Sequence, residues 1–204
     1  MLIPFQTLID QYQCRPKGVL HCGANIGEEA EAYKNAGAEK VVWVEANPEI
    51  YKTLCSNIEK YPNHVALNHC ISDRNDQEVT FHIANNGGQS SSFLEFGTHA
   101  RNHPTVKYID HIQLKTKRLD SMDIDFEGLD FFAADLQGVE LFALKGLGEN
   151  LKQFKWVYLE VNREQVYLGN ALVGEIDQYL KGFGLRPRAE KWTSASWGDK
   201  FYSK

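Results

Sequence analysis

Short apolar runs alternate with segments of helical periodicity along most of the chain. The apolar runs predict buried strands, and in chain order they are GVLHCG, VVWVE, residues 64–71, LDFFAAD and KWVYLEVN. Helical spacing predicts helices between them, at residues 28–35, 48–58, 138–147 and 172–181. This alternation indicates an α/β fold with a mostly parallel sheet and helices on both faces. In such sheets, ligands bind beyond the carboxyl ends of the strands.

The alternation lapses between the third and fourth core strands, over residues 74–128. Within this insertion, EVTFHIA and IQLKTKRL predict two half-buried strands, and NNGGQSSS predicts a flexible loop. We interpret the insertion as a cover over a substrate site. Residues 1–17 predict an irregular lead-in, and residues 185–202 a strand pair that turns at Trp197-Gly198-Asp199. We expect one domain over residues 1–204.

Composition and charge narrow the class of protein. The 204 residues are 43% hydrophobic and 24% charged, which is ordinary for a globular protein. No run approaches the roughly 18 apolar residues that span a bilayer, and no secretory signal precedes the first strand, so we expect a cytoplasmic protein without a membrane span. The net charge of −5 argues against nucleic-acid binding. The four cysteines form no CxxC pattern and are interpreted as reduced thiols.

The loop after the first strand, HCGANIG, raises the question of what passes close to its backbone. Glu45 ends the next strand, where a carboxylate can accept hydrogen bonds from two ribose hydroxyls. Together these features indicate a cofactor that contains adenosine. Glu28 and Glu29 lie at the start of the following helix, where they would repel a diphosphate. Position 25 is Asn rather than a second glycine, so S-adenosyl-L-methionine is favoured over a nicotinamide cofactor.

Six segments resemble the successive motifs of the FkbM family of methyltransferases. They are HCGANIG, VEANPEIY, SDRNDQEVTF, RLDSM, ADLQGVELFALKG and YLEVN, and the resemblance covers about residues 18–184. It implies the Rossmann-like fold of class I methyltransferases, with a mostly parallel seven-stranded sheet. It also implies S-adenosyl-L-methionine as donor, S-adenosyl-L-homocysteine as product, and hydroxyl groups of sugars, glycans or polyketide-derived molecules as acceptors.

The resemblance also implies roles for residues at the strand ends. Asp135 would face the transferring methyl group. The remaining donor-binding positions would be Gly23, Ala24, Asn25 and Gly27 at the methionine and ribose, Glu45, Ala46 and Asn47 at the ribose, and Ser72 and Asp73 at the adenine. The chain departs from the family pattern at His21, where an acid usually helps to hold the donor's amino group. It departs again at Gln137, usually Glu, which weakens any metal site shared with Asp135 and leaves open whether a divalent metal assists.

Methyl transfer to an aliphatic hydroxyl benefits from a general base. Asp135 is the first candidate because it follows an apolar run, where partial burial would raise its pKa. Its alternative role is only to hold the donor or to cap the next helix. His111, in the insertion, is the second candidate, and His99 and His103 share that segment. Side chains expected to bind the acceptor are Ser91, Ser92, Gln137, Glu160 and Asn162.

The sequence therefore predicts an S-adenosyl-L-methionine-dependent O-methyltransferase that acts on a sugar or glycan. The segment DLQG lacks the proline and the aromatic ring that often accompany methylation of nitrogen, which favours oxygen as the acceptor atom. Two alternatives are a non-catalytic family member that binds donor or glycan, and an NAD(P)-dependent oxidoreductase. A homodimer, or a place in a larger glycan-biosynthesis polypeptide, is a further expectation.

Overall fold

The computed structural model describes all 204 residues and contains ten strands. Their bounds are β1 Gly18–Cys22, β2 Lys40–Glu45, β3 His64–Asn68, β4 Cys70–Ile71, β5 Glu78–Ala84, β6 Tyr108–Lys117, β7 Phe131–Ala134, β8 Trp156–Asn162, β9 Arg186–Trp192 and β10 Trp197–Ser203. Seven strands form one sheet in the order β3-β2-β1-β7-β8-β10-β9. Pairing is parallel from β3 to β8, and β10 is antiparallel to both of its neighbours. The predicted α/β class and the mostly parallel seven-stranded sheet are confirmed.

Six α-helices accompany the strands. They are α1 Phe5–Tyr12, α2 Ala30–Asn35, α3 Pro48–Ile58, α4 His99–Asn102, α5 Glu140–Gly146 and α6 Val173–Lys181. Successive strand residues point to opposite faces of the sheet, so two apolar cores form. One contains Leu144 of α5 and Leu180 of α6, and the other contains Leu8 of α1, Tyr33 of α2 and Leu54 of α3. None of these helices has the length and apolar character that crossing a membrane requires.

A smaller sheet lies beside the carboxyl end of the main sheet, with strand order β4-β6-β5. Residues 64–71, predicted as one strand, break at His69. β3 pairs with β2, whereas Cys70 and Ile71 pair with Thr116 and Lys117 of β6. The prediction of a single strand is therefore wrong, because the chain leaves one sheet and joins the other within two residues.

Two further predictions about the chain's ends are also wrong. The lead-in contains α1, whose Phe5, Leu8 and Ile9 are buried. The turn of the last strand pair lies at residues 193–196, where Thr193 N donates a hydrogen bond to Trp197 O at 2.9 Å. Trp197 therefore begins β10, opposite Asn162 of β8, which gives β10 a full-length partner on each side.

Candidate functional site

The glycines of the loop after β1 allow close approach of other chain segments. Gly23 has a φ of +73°, and a Cβ atom built on it would lie 1.8 Å from the carbonyl oxygen of Asp135. At Gly27, φ is +78° and the corresponding distance is 2.8 Å, to Leu54 Cδ1 of α3. Backbone and helix packing therefore account for both glycines.

Two adjoining cavities open at the carboxyl ends of β1, β2 and β7. The larger cavity has a volume of about 370 Å³ and the smaller cavity about 60 Å³. Both are lined by Gly23, Asn25, Gln89, Asp135 and Gln137. Because they share these residues, the cavities form one continuous cleft with Asp135 at the junction.

Glu45 is the buried acid of the smaller cavity. Its Oε2 accepts a hydrogen bond from the backbone N–H of Asn25 at 2.9 Å, and its Oε1 accepts one from that of Asn47 at 2.8 Å. Burial raises the pKa of Glu45 to about 7 despite these hydrogen bonds. A carboxylate offers about four lone-pair positions, so each oxygen can accept a further hydrogen bond.

Gln137 joins two carboxylates across the floor of the larger cavity. Its side-chain nitrogen donates hydrogen bonds to Asp135 Oδ1 and, at 3.3 Å, to Glu160 Oε2. Its side-chain oxygen accepts a hydrogen bond from the hydroxyl of Tyr167 at 2.5 Å. Tyr167 therefore fixes the orientation of the Gln137 amide, so that the nitrogen faces both acids.

The acids at this floor have raised pKa values. Asp135 is exposed to the cleft, and many protein atoms surround it at longer range. This enclosure and the repulsion from Asp199 raise the pKa of Asp135 to about 6, and the hydrogen bond from Gln137 opposes the rise. Burial, followed by repulsion from Asp135, raises the pKa of Glu160 well above its usual value. A base that titrates near neutrality is therefore available at the junction.

Glu140, behind the floor, makes the stability of the fold depend on pH. It is 2% exposed, and burial raises its pKa from 4.5 to about 7. The folded state therefore binds more protons than the unfolded state between these values, and the resulting stabilisation is lost as pH rises through about 7. The Oε1 of Glu140 accepts hydrogen bonds from Leu136 N at 2.9 Å and Gly138 N at 3.2 Å, which a glutamine oxygen can also accept.

The free energy of unfolding should fall between pH 5 and pH 8 in the wild type as Glu140 loses its proton. In Glu140→Gln this fall is expected to be smaller by on the order of 2 kcal/mol. Urea unfolding at the two pH values measures the difference. Glu59→Gln, at an exposed position, is the matched control and should follow the wild type. Equal losses in Glu140→Gln and wild type would contradict the assignment.

His21 is enclosed by aromatic side chains at one wall of the larger cavity. Its ring stacks on Trp43, with centroids 5.1 Å apart, and its Nδ1 lies 2.9 Å from the hydroxyl of Tyr33. Burial lowers its pKa. A neutral imidazole therefore stands where the family pattern usually has a carboxylate.

The structure brings most of the residues predicted to form the site to the cleft. Those that line it are His21, Gly23, Ala24, Asn25, Glu45, Ala46, Ser91, Ser92, Asp135, Gln137 and Glu160. Six others line neither cavity, namely Gly27, Asn47, Ser72, Asp73, His111 and Asn162.

These six positions have other structural roles or locations. Asn47 accepts a hydrogen bond from Glu49 N at 3.0 Å and so caps α3. His111 is exposed on β6 and lines neither cavity, so its assignment as a second candidate base stays a prediction. Asn162 is 1% exposed and its side-chain amide has no hydrogen-bond partner, so direct acceptor binding is not supported there. Cys70 and Ile71 line the smaller cavity in place of Ser72 and Asp73.

Several residues of the cleft carry no sequence motif, namely Val106, Tyr158, Val166, Tyr167 and Asp199. Asn86, Gln89 and Ser90 lie in the predicted loop NNGGQSSS, and Trp197 lies at the predicted turn of the last strand pair. Asp199 comes from β10 and accepts a hydrogen bond from the hydroxyl of Tyr158 on β8. Only the pairing of these two strands brings the residues together, so no local signal could have found them. No group of three or more His, Cys, Asp or Glu side chains is placed so that it could hold a metal ion.

Comparison with solved structures places the fold among methyltransferases. The chain is similar to ribosomal protein L11 methylase from Lactobacillus delbrueckii subsp. bulgaricus, with 14% identity and a TM-score of 0.57, covering 98% of this chain and 76% of that one. Magnesium protoporphyrin IX methyltransferase (ChlM) from Synechocystis PCC 6803, solved with bound SAM, shows 10% identity, a TM-score of 0.57 and the same coverage. TrmK from M. capricolum, solved with S-adenosyl-homocysteine, shows 7% identity and a TM-score of 0.51, covering 99% and 68%.

Sequence comparison gives the family. No curated protein matches the chain. The family model described as the methyltransferase FkbM domain matches residues 21–187, which include the end of β1, all of β2, β7 and β8, and nearly all of the cleft. The chain thus belongs to the FkbM family of S-adenosyl-L-methionine-dependent methyltransferases.

Proposed function

We propose that this protein transfers a methyl group from S-adenosyl-L-methionine to a hydroxyl of a sugar or glycan. The observation that carries the proposal is the position of Asp135 at the junction of the two cavities, with a pKa raised to about 6. A base at this junction can reach an acceptor that is bound in the larger cavity. The methyl donor would bind next to that acceptor, with its adenosine end in the smaller cavity. Family membership supports the donor, and the lining of the larger cavity supports the acceptor class.

The smaller cavity fits the adenosine end of the donor. Glu45 keeps acceptor capacity for ribose hydroxyls, and Cys70, Ile71 and Phe81 add apolar surface suited to a base. Gly23 and Asn25 continue the wall into the larger cavity, toward the methionine end. Two of the similar solved structures contain S-adenosyl-L-methionine or its demethylated product, which supports the same class of donor here.

The chain's own residues would position the acceptor and remove its proton. The donor supplies a methyl group on a sulfonium sulfur and leaves as S-adenosyl-L-homocysteine, with the electrons of the broken carbon–sulfur bond. Asp135 accepts the hydroxyl proton as the new carbon–oxygen bond forms. Gln137 holds the Asp135 carboxylate by its amide N–H. Alignment of the acceptor oxygen supplies much of the remaining catalysis.

The larger cavity offers side chains suited to a hydroxyl-rich acceptor. Asn86, Gln89 and Ser90, all from the insertion, provide hydrogen-bond donors and acceptors. Tyr167 and Trp197 provide aromatic surface and come from later in the chain, Tyr167 after β8 and Trp197 at the start of β10. This combination of amides, hydroxyls and rings favours a sugar over a purely apolar acceptor.

Calorimetric titration with S-adenosyl-L-homocysteine, with NADH in parallel, tests the donor. Radiolabelled donor incubated with a panel of neutral, amino and acidic sugars then tests transfer, and mass spectrometry of the product locates the methyl group. Micromolar binding of S-adenosyl-L-homocysteine and an O-methylated sugar would support the proposal. Binding without transfer to any acceptor would favour the non-catalytic alternative, and parallel assays with EDTA test whether a metal assists.

Glu45→Gln is expected to weaken binding of S-adenosyl-L-homocysteine by more than about tenfold, which is about 1.4 kcal/mol. The substitution replaces one acceptor oxygen by an NH₂ group, which can no longer accept from a ribose hydroxyl or from the backbone N–H it faces. Calorimetry measures the Kd. Glu49→Gln, exposed in the first turn of α3, is the matched control. Unchanged affinity in Glu45→Gln would remove Glu45 from the donor site.

A further inference from the structure

The larger cavity is strongly acidic. Its lining includes five carboxylates, Glu28, Glu29, Asp135, Glu160 and Asp199, and no lysine or arginine. The ammonium of Met1 also lies at this wall, 3.7 Å from Glu29 Oε1. A cleft lined by one sign of charge concentrates ligands of the opposite sign and repels those of its own.

The burial and hydrogen bonding of Glu160 give a more specific observation at this wall. It is 6% exposed and lines the cavity from the end of β8. Its Oε2 accepts a hydrogen bond from Gln137, whereas Oε1 accepts none from the protein and is not sealed from the cavity. A deeply placed carboxylate with one free oxygen is costly unless a ligand supplies a donor to it.

Aromatic rings lie around the same space. Tyr158, Tyr167 and Trp197 all line the larger cavity, and the Tyr167 ring centroid lies 5.5 Å from that of His99. Ring faces attract cations through their quadrupole, and sites that combine rings with carboxylates are typical of amine recognition. The carboxylates and the aromatic rings therefore both favour a positively charged ligand.

We propose that the acceptor carries a protonated amine beside the hydroxyl that is methylated, as an amino sugar does, with Glu160 Oε1 accepting a hydrogen bond from the ammonium. This inference rests on the proposed function. The donor carries one net positive charge, which is fewer than the carboxylates of this wall even where Asp135 and Glu160 hold protons. A uronic acid or a sugar phosphate would instead bring a further negative charge to a wall that has no arginine or lysine and whose ammonium group, that of Met1, already lies against Glu29.

Three oligosaccharide probes of equal length test the inference. A β-1,4-linked tetramer of glucosamine and cellotetraose share one skeleton and differ only in an ammonium or a hydroxyl at the second carbon, and tetragalacturonate is the acidic probe. Binding to the protein with S-adenosyl-L-homocysteine present is measured by saturation-transfer NMR at about pH 6.5, where most of the amines are protonated. Transfer from radiolabelled donor is measured separately on the same three probes.

The glucosamine tetramer is expected to bind at least about tenfold more tightly than cellotetraose, with tetragalacturonate weakest. Glu28→Gln and Glu29→Gln, at less buried positions where folding should not suffer, are expected to reduce this preference several-fold. Glu160→Gln should reduce it most. Glu59→Gln changes the net charge equally at an exposed position just after α3, outside the cleft, and should leave the preference unchanged.

Equal or tighter binding of cellotetraose would overturn the inference, and O-methylation of that probe would then leave the proposed function standing. A preference for the glucosamine tetramer without transfer would support amine recognition and count against the transferase proposal. A preference that Glu160→Gln and Glu28→Gln leave intact would overturn the role assigned to the acidic wall. Methylation of the amine itself would support the cationic acceptor and correct the assignment of oxygen as the methylated atom.

Discussion

Asp135→Asn is expected to lower the rate of methyl transfer by at least about a hundredfold, while the Kd for S-adenosyl-L-homocysteine changes by less than about threefold. The substitution keeps the size of the side chain but removes the only group at the junction of the two cavities that is assigned to accept the hydroxyl proton. Asparagine still has an oxygen that can accept the hydrogen bond from Gln137. The loss should therefore fall on the chemical step rather than on folding or donor binding.

Single-turnover transfer and calorimetry on the same preparation separate these effects. Asp123→Asn, at an exposed position outside the cleft, is the matched control. A parallel fall in donor affinity and in turnover would make Asp135 a ligand of the donor rather than the base. The pH–rate profile gives an independent check, because the wild-type rate should rise as pH passes through about 6, the pKa of Asp135.

Gly23→Ala is expected to destabilise the fold by more than about 4 kcal/mol, or to prevent folding. A methyl group at this position would lie 1.8 Å from the carbonyl oxygen of Asp135, far inside van der Waals contact, and that oxygen belongs to the backbone that follows β7. Relief would require β1 and β7 to separate. The same movement would displace Asp135 from the junction of the cavities.

Gly37→Ala is a closely matched control. Its φ of +87° imposes a similar conformational cost, yet a Cβ atom there would meet nothing within 4 Å. We expect it to lose about 1–2 kcal/mol, the cost of a left-handed conformation alone. Urea unfolding of both variants measures the difference. Similar losses would show that backbone conformation, rather than the close approach of Asp135, makes glycine necessary at position 23.

Local signals in the sequence were sufficient to predict the strands and the helix start that form the donor side of the cleft. The apolar runs of β1, β2 and β7 are short and bounded, and Asn47 followed by Pro48 defines the start of α3. A residue at the carboxyl end of a parallel strand has its position fixed by the topology alone. For that reason Glu45 and Asp135 could be predicted to lie near each other without any knowledge of tertiary packing.

The remaining features depend on contacts between distant segments. The strand breaks at His69 because the residues before it pair with one sheet and the residues after it pair with the other. Strand propensity alone cannot predict such a change of pairing partner. Tyr167 reaches Gln137 from the segment that follows β8, and Asp199 reaches Tyr158 because β10 enters the sheet beside β8. The helix α1 is short, and its apolar residues gain their burial from the sheet rather than from the helix itself.

The two sides of the cleft have different origins in the chain, and this has an evolutionary consequence. The donor side is made mostly from strand ends whose positions the whole sheet constrains, although Phe81 joins it from the insertion. On the acceptor side, Asn86, Gln89, Ser90, His99 and Val106 all belong to that one contiguous insertion. Replacement of that insertion can therefore create a different acceptor preference in one genetic event, without change to the strands that hold the methyl donor. Relatives that share the donor side are expected to vary the part of the acceptor site that this segment supplies, while Glu160 and Asp199 stay with the main sheet.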